Sequence, residues 1–127
     1  MPRRYLTLEE AESSLNRGKS IECFLGACDR NGKPGVRWLS ASRRRKEIHL
    51  SIFESADIGS DEFLDLYAFG PLDPELEKDE PDEKLVFENF GKFLSEIEAR
   101  FPTSTSRLVN DGIIQDEYAD FIAKGRK

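Results

Sequence analysis

The sequence predicts an α+β domain: an antiparallel meander of three or four strands, with an N-terminal helix and two C-terminal helices packed on one face of it. Three observations carry that expectation. A helix-capping signature lies near the start, apolar runs divided by short turn signals fill the middle, and a helical apolar period returns in the last third. The 127 residues match the size of one domain, taken as 1–127, and no internal repeat or linker interrupts them.

Thr7-Leu8-Glu9-Glu10 has the form of a capping box, so Thr7 opens a helix that buries Leu8, Ala11 and Leu15 and stops at Gly18. Residues 20–29 are almost continuously apolar and read as a strand buried on both faces. Asn31-Gly32 and Pro34-Gly35 are turn signals between this strand and the next, residues 36–42, which holds Trp38. A basic turn at Arg43, Arg44, Arg45 and Lys46 leads into residues 47–54. There Ile48, Leu50 and Ile52 alternate with His49, Ser51 and Phe53, the period of a half-buried strand. Residues 62–69 mix acidic and aromatic side chains before a Gly70-Pro71 stop; they read as a fourth strand, with a short helix as the alternative. Residues 70–81 contain three prolines and many acids and read as loop. From Pro81, Val86, Phe90, Phe93, Ile97 and Phe101 recur at helical spacing, predicting one long helix that Pro102 ends. Residues 103–110 read as polar loop with a short extended piece. Ile114, Tyr118, Phe121 and Ile122 mark a last helix, with Asp111 as its cap and Gly125 as its stop.

Charge is distributed unevenly. Residues 1–46 carry eleven bases and five acids, a net of +6, whereas residues 47–127 carry eight bases and twenty acids, a net of −12. Within the second part, residues 54–83 hold twelve acids and one base, Lys78. Such a run repels itself and favours solvent or a cationic partner. It also contains Phe63, Leu64, Leu66, Tyr67, Phe69 and Leu72, so it is not a plain acidic tail. Acids interleaved with aromatics can steer a basic protein at long range and then offer it apolar contact. The alternative is a solvated run that keeps the chain soluble. Asp61, Glu62, Asp65, Tyr67, Asp73 and Glu75 are the expected partner contacts. The Arg43–Lys46 turn reads as an exposed hairpin tip; a net charge of −6 disfavours nucleic acid as its partner.

Catalytic signatures are sparse. His49 is the one histidine, and no nucleophile elbow, phosphate loop or dinucleotide fingerprint occurs. Cys23 and Cys28, five residues apart on one strand, are expected on opposite faces about 16 Å apart, beyond the roughly 7 Å that a disulfide spans. Too few cysteines and histidines exist for a four-ligand zinc site. Asp61, Glu62 and Asp65 would share a face and suit Mg²⁺ if their segment were helical. No enzyme activity, cofactor or metal is expected. No apolar run is long enough to span a bilayer, and Arg3 and Arg4 precede no signal-type apolar stretch, so a cytoplasmic chain without membrane association is expected.

With its single α+β domain and the acidic, aromatic-bearing stretch at 54–83, the chain resembles the small acidic immunity proteins that bacteria make against their own secreted toxins. That resemblance implies a non-enzymatic module that blocks a basic partner protein through an acidic face. Size, low isoelectric point and a helix followed by strands are also similar to type III secretion chaperones, which imply a dimer holding an unfolded segment. A third class is a small enzyme or ligand-binding protein that uses the clustered carboxylates.

Overall fold

In a computed structural model describing residues 4–126, the chain runs α1 (Leu8–Asn16), β1 (Ile21–Arg30), β2 (Lys33–Arg44), β3 (Glu47–Ala56), β4 (Glu83–Phe87), α2 (Phe90–Arg100), β5 (Val109–Asn110) and α3 (Ile114–Ala123). Single 3-10 turns lie at Leu66–Ala68 and Ser104–Ser106. The start of the stretch read for a signal peptide, residues 1–3, lies outside the described residues. The fold is α+β, and its antiparallel sheet has five strands in the order β4-β3-β2-β1-β5, not three or four. None of the described helices is long and apolar enough to cross a membrane.

Local chemistry explains the elements that the sequence marked. The Thr7 hydroxyl accepts from the Glu10 amide while the Glu10 carboxylate accepts from the Thr7 amide, closing the capping box. Gly18 at φ 79° lets its own amide reach the Leu15 carbonyl and the Lys19 amide reach that of Ser14, a Schellman stop. Arg30 pairs with Lys33, leaving Asn31 and Gly32 as a two-residue turn with φ of 55° and 83°, as a type I′ hairpin requires. Pro34 and Gly35, expected in that turn, instead continue β2. Arg44 pairs with Glu47, so the basic turn is a hairpin tip as expected.

The two faces of the sheet carry separate cores. Ile21, Cys23, Leu39, Ala41, Ile48, Leu50 and Ile52 face α1 and α2, which contribute Ala11, Leu15, Phe90, Phe93 and Ile97. Phe24, Val36 and Trp38 lie on the opposite face under α3 and the segment after β3, which contribute Ile114, Tyr118, Phe121, Leu66 and Phe69. Helices therefore cover both faces, which corrects the expectation of one. The reason is that both alternating sets of β1 and β2 are apolar, and each needs a cover. Leu8, expected in the buried stripe of α1, is 44% exposed.

Three further expectations fail for identifiable reasons. Residues 62–69 form no strand: Asp65 Oδ1 accepts from the Tyr67 amide and starts the 3-10 turn, while Leu66, Phe69 and Leu72 are buried. The long helix from Pro81 divides. Residues 83–87 pair with β3, with partly buried Leu85 and Phe87 on either side of Val86, which is 53% exposed. The helix begins only where Asn89 Oδ1 accepts from the Lys92 amide. Val86 satisfied a helical and a strand period equally, and pairing with β3 decided between them. Asp111 does not cap α3, whose N-terminus has no side-chain cap.

A bulge at Leu25 changes which way β1 points. Phe24 pairs with Trp38 and Gly26 with Arg37, leaving Leu25 as the extra residue. Because of that extra residue, Cys23 opposite Leu39 and Cys28 opposite Gly35 share one face, contrary to the expected opposite faces. Both thiols are free.

Phe93 is fully buried between the α2 helix and the sheet. Phe93→Ala is expected to lower unfolding stability by about 3–5 kcal/mol, read as a shift of the denaturant midpoint. Gly59 is equally restrictive: a Cβ there would lie 2.6 Å from the Phe63 carbonyl oxygen and 2.6 Å from Tyr118 Cε2. Gly59→Ala is expected to cost roughly 1–3 kcal/mol in the same measurement, since backbone and a packed ring must both shift.

Candidate functional site

The acidic segment is an ordered layer. After β3 the chain turns across the sheet and is tied to α3. The Gly59 amide donates to the Tyr118 hydroxyl at 3.1 Å, that hydroxyl donates to Asp57 Oδ1, and Arg126 spans Asp57 Oδ2 at 2.8 Å and the Gly59 carbonyl at 2.7 Å. Five of the twelve acids in 54–83 are neutralised inside the molecule. Glu54, Asp73 and Asp82 share Arg30, Glu54 also meets Arg37, Asp57 meets Arg126, and Glu83 meets Arg100. The bases of the Arg43–Lys46 turn take no part. Asp61, Glu62, Asp65, Glu75, Glu77, Asp79 and Glu80 form no ion pair among the described residues, and all but the half-buried Asp65 are exposed.

The six residues expected to contact a partner are not gathered at one point. Asp61 borders a shallow hollow against α3, with Leu64, Ile122 and Arg126. Glu62 and Glu75 are exposed, and Asp65 spends one oxygen on the 3-10 turn. Asp73 is held by Arg30 at 3.2 Å at the end of the sheet. Tyr67 walls a cleft on the sheet itself.

That cleft, of about 240 Å³, lies where α3 and the acidic segment leave part of their sheet face uncovered. Register builds it. Phe24, Trp38 and Phe53 form one rung across β1, β2 and β3, and Glu22, Ser40 and Ser51 form the adjacent rung on the same face. Trp38 and Phe53 stack at 4.2 Å with an interplanar angle of 11°, and Tyr67 meets Trp38 edge-on at 5.5 Å. Trp38 Nε1 donates to Ser55 Oγ at 3.1 Å, which fixes the indole. Ser40, Ser55, Leu66, Gly70, Pro71, Asp79, Glu80 and the Arg37-paired Glu54 complete the lining. Beyond it the face continues open past Lys84, opposite Ser51, toward the basic turn.

Glu22 lines this cleft and is only 4% exposed. Its Oε1 accepts from the Tyr67 hydroxyl at 2.6 Å and from the Gly112 amide at 3.2 Å. Its Oε2 accepts no hydrogen bond among the described residues, yet is not among the atoms sealed from solvent. No base is paired with it. Burial pushes the Glu22 carboxyl above the ordinary carboxylate range, the Tyr67 and Gly112 hydrogen bonds oppose that, and Asp111 adds to it. Burial and the Glu22 hydrogen bond likewise push the Tyr67 hydroxyl upward. Glu22 was not singled out in the sequence, where it is one acid inside an apolar run; that run was itself the signal, since an unpaired acid in a buried strand is costly.

The other polar groupings are closed. Glu117, 2% exposed on α3, is met by Arg4 at 2.6 Å, Arg107 at 2.8 Å and the Tyr5 hydroxyl at 2.7 Å, which fastens the N-terminal segment to α3. The larger groove beside the edge of β1, about 570 Å³, is lined by these paired groups with Cys23 and Arg100. The Cys23 thiol is pushed up to about 12 by burial, far from a reactive thiolate. His49 lies 3.6 Å from Glu47 and opposite Ser42 in the sheet, and no hydrogen bond joins His49 to Ser42 among the described residues. Residues 61–65 form a turn, not the helix that would align Asp61 and Asp65, and no grouping of three or more His, Cys, Asp or Glu among the described residues is placed to hold a metal ion. Comparison of the chain with protein-family models, with curated proteins and with solved structures found no match.

A carboxyl raised by burial favours folding at low pH, and that contribution is lost as pH rises through its folded value. Glu22→Gln keeps an acceptor for Tyr67 and Gly112 but carries no charge. The variant is expected to melt above the parent at neutral pH, with the gap narrowing as pH falls through the carboxylate range. A melting series over that range checks it.

Proposed function

We propose that the chain is a non-enzymatic protein-binding module of the immunity type, which blocks a basic partner protein through the acidic, aromatic-anchored surface of residues 54–83. The observation that carries this reading is the contrast within the segment: five of its acids are neutralised internally, while seven form no ion pair among the described residues. Unpaired charge on a pinned surface keeps its direction, so it can steer a cationic partner and hold register after encounter. Leu66, Phe69 and Leu72 beneath it are buried, so the layer stays in place without the partner.

Reversing Asp61, Glu62, Glu75 and Glu77 to Lys leaves every ion pair and buried contact of the fold in place. Affinity capture from the native lysate at low salt is expected to retain a basic polypeptide on the parent chain, released as ionic strength rises past about 0.15 M, where screening shortens to roughly 8 Å. The reversed variant is expected to lose it while melting within about 0.5 kcal/mol of the parent. Equal retention by both chains would remove the acidic surface as the interface.

A further inference from the structure

We infer that the cleft formed by Trp38, Phe53, Tyr67 and Glu22 receives one alkylammonium or guanidinium group, delivered by a lysine or arginine side chain of the basic partner. The inference rests on the proposed basic partner and goes beyond it by naming the pocket and the chemical group. Four observations converge on a cation. The walls are aromatic, and ring faces attract cations. At the inner side stands a buried carboxylate that, among the described residues, has one oxygen bonded, one oxygen free and no base beside it. Buried carboxylates are ordinarily paired, and elsewhere in this molecule Glu117 and Asp57 are. Two exposed acids, Asp79 and Glu80, form the rim and meet no base among the described residues.

Size separates a side chain from a larger ligand. Pockets for drug-sized molecules run to roughly 300–1,000 Å³, whereas this cleft holds about 240 Å³. The hydroxyl of Ser40 and Oε2 of Glu22 offer acceptors to the protons of an ammonium. A neutral apolar group would leave Glu22 buried without compensation, and an anion would meet four carboxylates, of which only Glu54 is paired with an arginine among the described residues. A free amine lacks other contacts and is held only weakly; attached to a protein already steered onto the acidic surface, the same group binds without losing that freedom again.

Trp38 is the only tryptophan, so its fluorescence reports the cleft alone. The full chain is titrated with N-acetyl-lysine amide and, at matched ionic strength, with its neutral analogue N-acetyl-norleucine amide. A saturable change with the lysine compound, of roughly millimolar affinity, and none with the norleucine compound is expected. Glu22→Gln, expected to be at least as stable as the parent, should weaken it about tenfold, and Phe53→Leu, which keeps apolar bulk without a ring face, should weaken it severalfold. No saturable change, equal response to both compounds, or an unaltered Glu22→Gln titration overturns the inference. For the complex, Glu22→Gln should raise the dissociation constant about tenfold; an unchanged complex with a cleft that still binds the lysine compound overturns delivery by the partner. Partner loss on reversing Asp61, Glu62, Glu75 and Glu77 without any lysine response defeats the cleft alone. A lysine response with a partner indifferent to that reversal defeats the acidic surface alone.

Discussion

The burial of Leu66, Phe69 and Leu72 is the constraint on which the ordered acidic layer depends. A run carrying twelve acids would extend into solvent if charge alone governed it. Leu66 and Phe69 packed on the Trp38 face, Leu72 against Gly35, and the link from Gly59 through Tyr118 to Asp57 and Arg126 hold it instead against the sheet. The close approach at Gly59 is part of the same constraint, because any side chain there would displace Phe69 or Tyr118. Gly35 plays the matching role at the other end, where a Cβ would stand 2.6 Å from Leu72 Cδ2.

Holding the segment this way has an electrostatic consequence. The acids nearest the sheet end are drawn onto Arg30, Arg37, Arg100 and Arg126 and serve the fold. Those on the outward turns keep their field. Ion pairs at the half-exposed arginines contribute modestly to stability, since water screens them; their larger effect is to set which acids remain unpaired. The same partition leaves Glu22 as an unmatched buried carboxylate in contact with a cleft. Polar groups held in unfavourable surroundings are candidates for binding sites, and the proposed cation site rests on this one.

The sheet is what brings Glu22, Trp38 and Phe53 together from three strands. Trp38 and Phe53 face each other by register, and Glu22 lies one rung away on the same side because the bulge falls at Leu25, after both Glu22 and Phe24 have been placed. A bulge at Cys23 instead would have left Glu22 opposite Ser40 and sent Phe24 to the other core. Unbroken alternation before the bulge keeps Glu22 and Phe24 on one side, and the β2–β3 register sets Trp38 against Phe53.

Local signals in the sequence determined the first helix, the Asn31-Gly32 hairpin, the basic tip, the three long strands and the last helix, because capping, turn chemistry and period-two alternation act between near neighbours. Charge imbalance in residues 54–83 was equally legible, since composition needs no fold. Tertiary structure alone decided the rest. Val86 and its neighbours became a strand because β3 offered an edge; residues 62–69 became a plug because both sheet faces needed cover; β5 joined β1 through only two residue pairs. The cleft could not be read in advance, because Glu22, Trp38, Phe53 and Tyr67 are far apart along the chain and meet only through strand register, which is a property of pairing between distant segments.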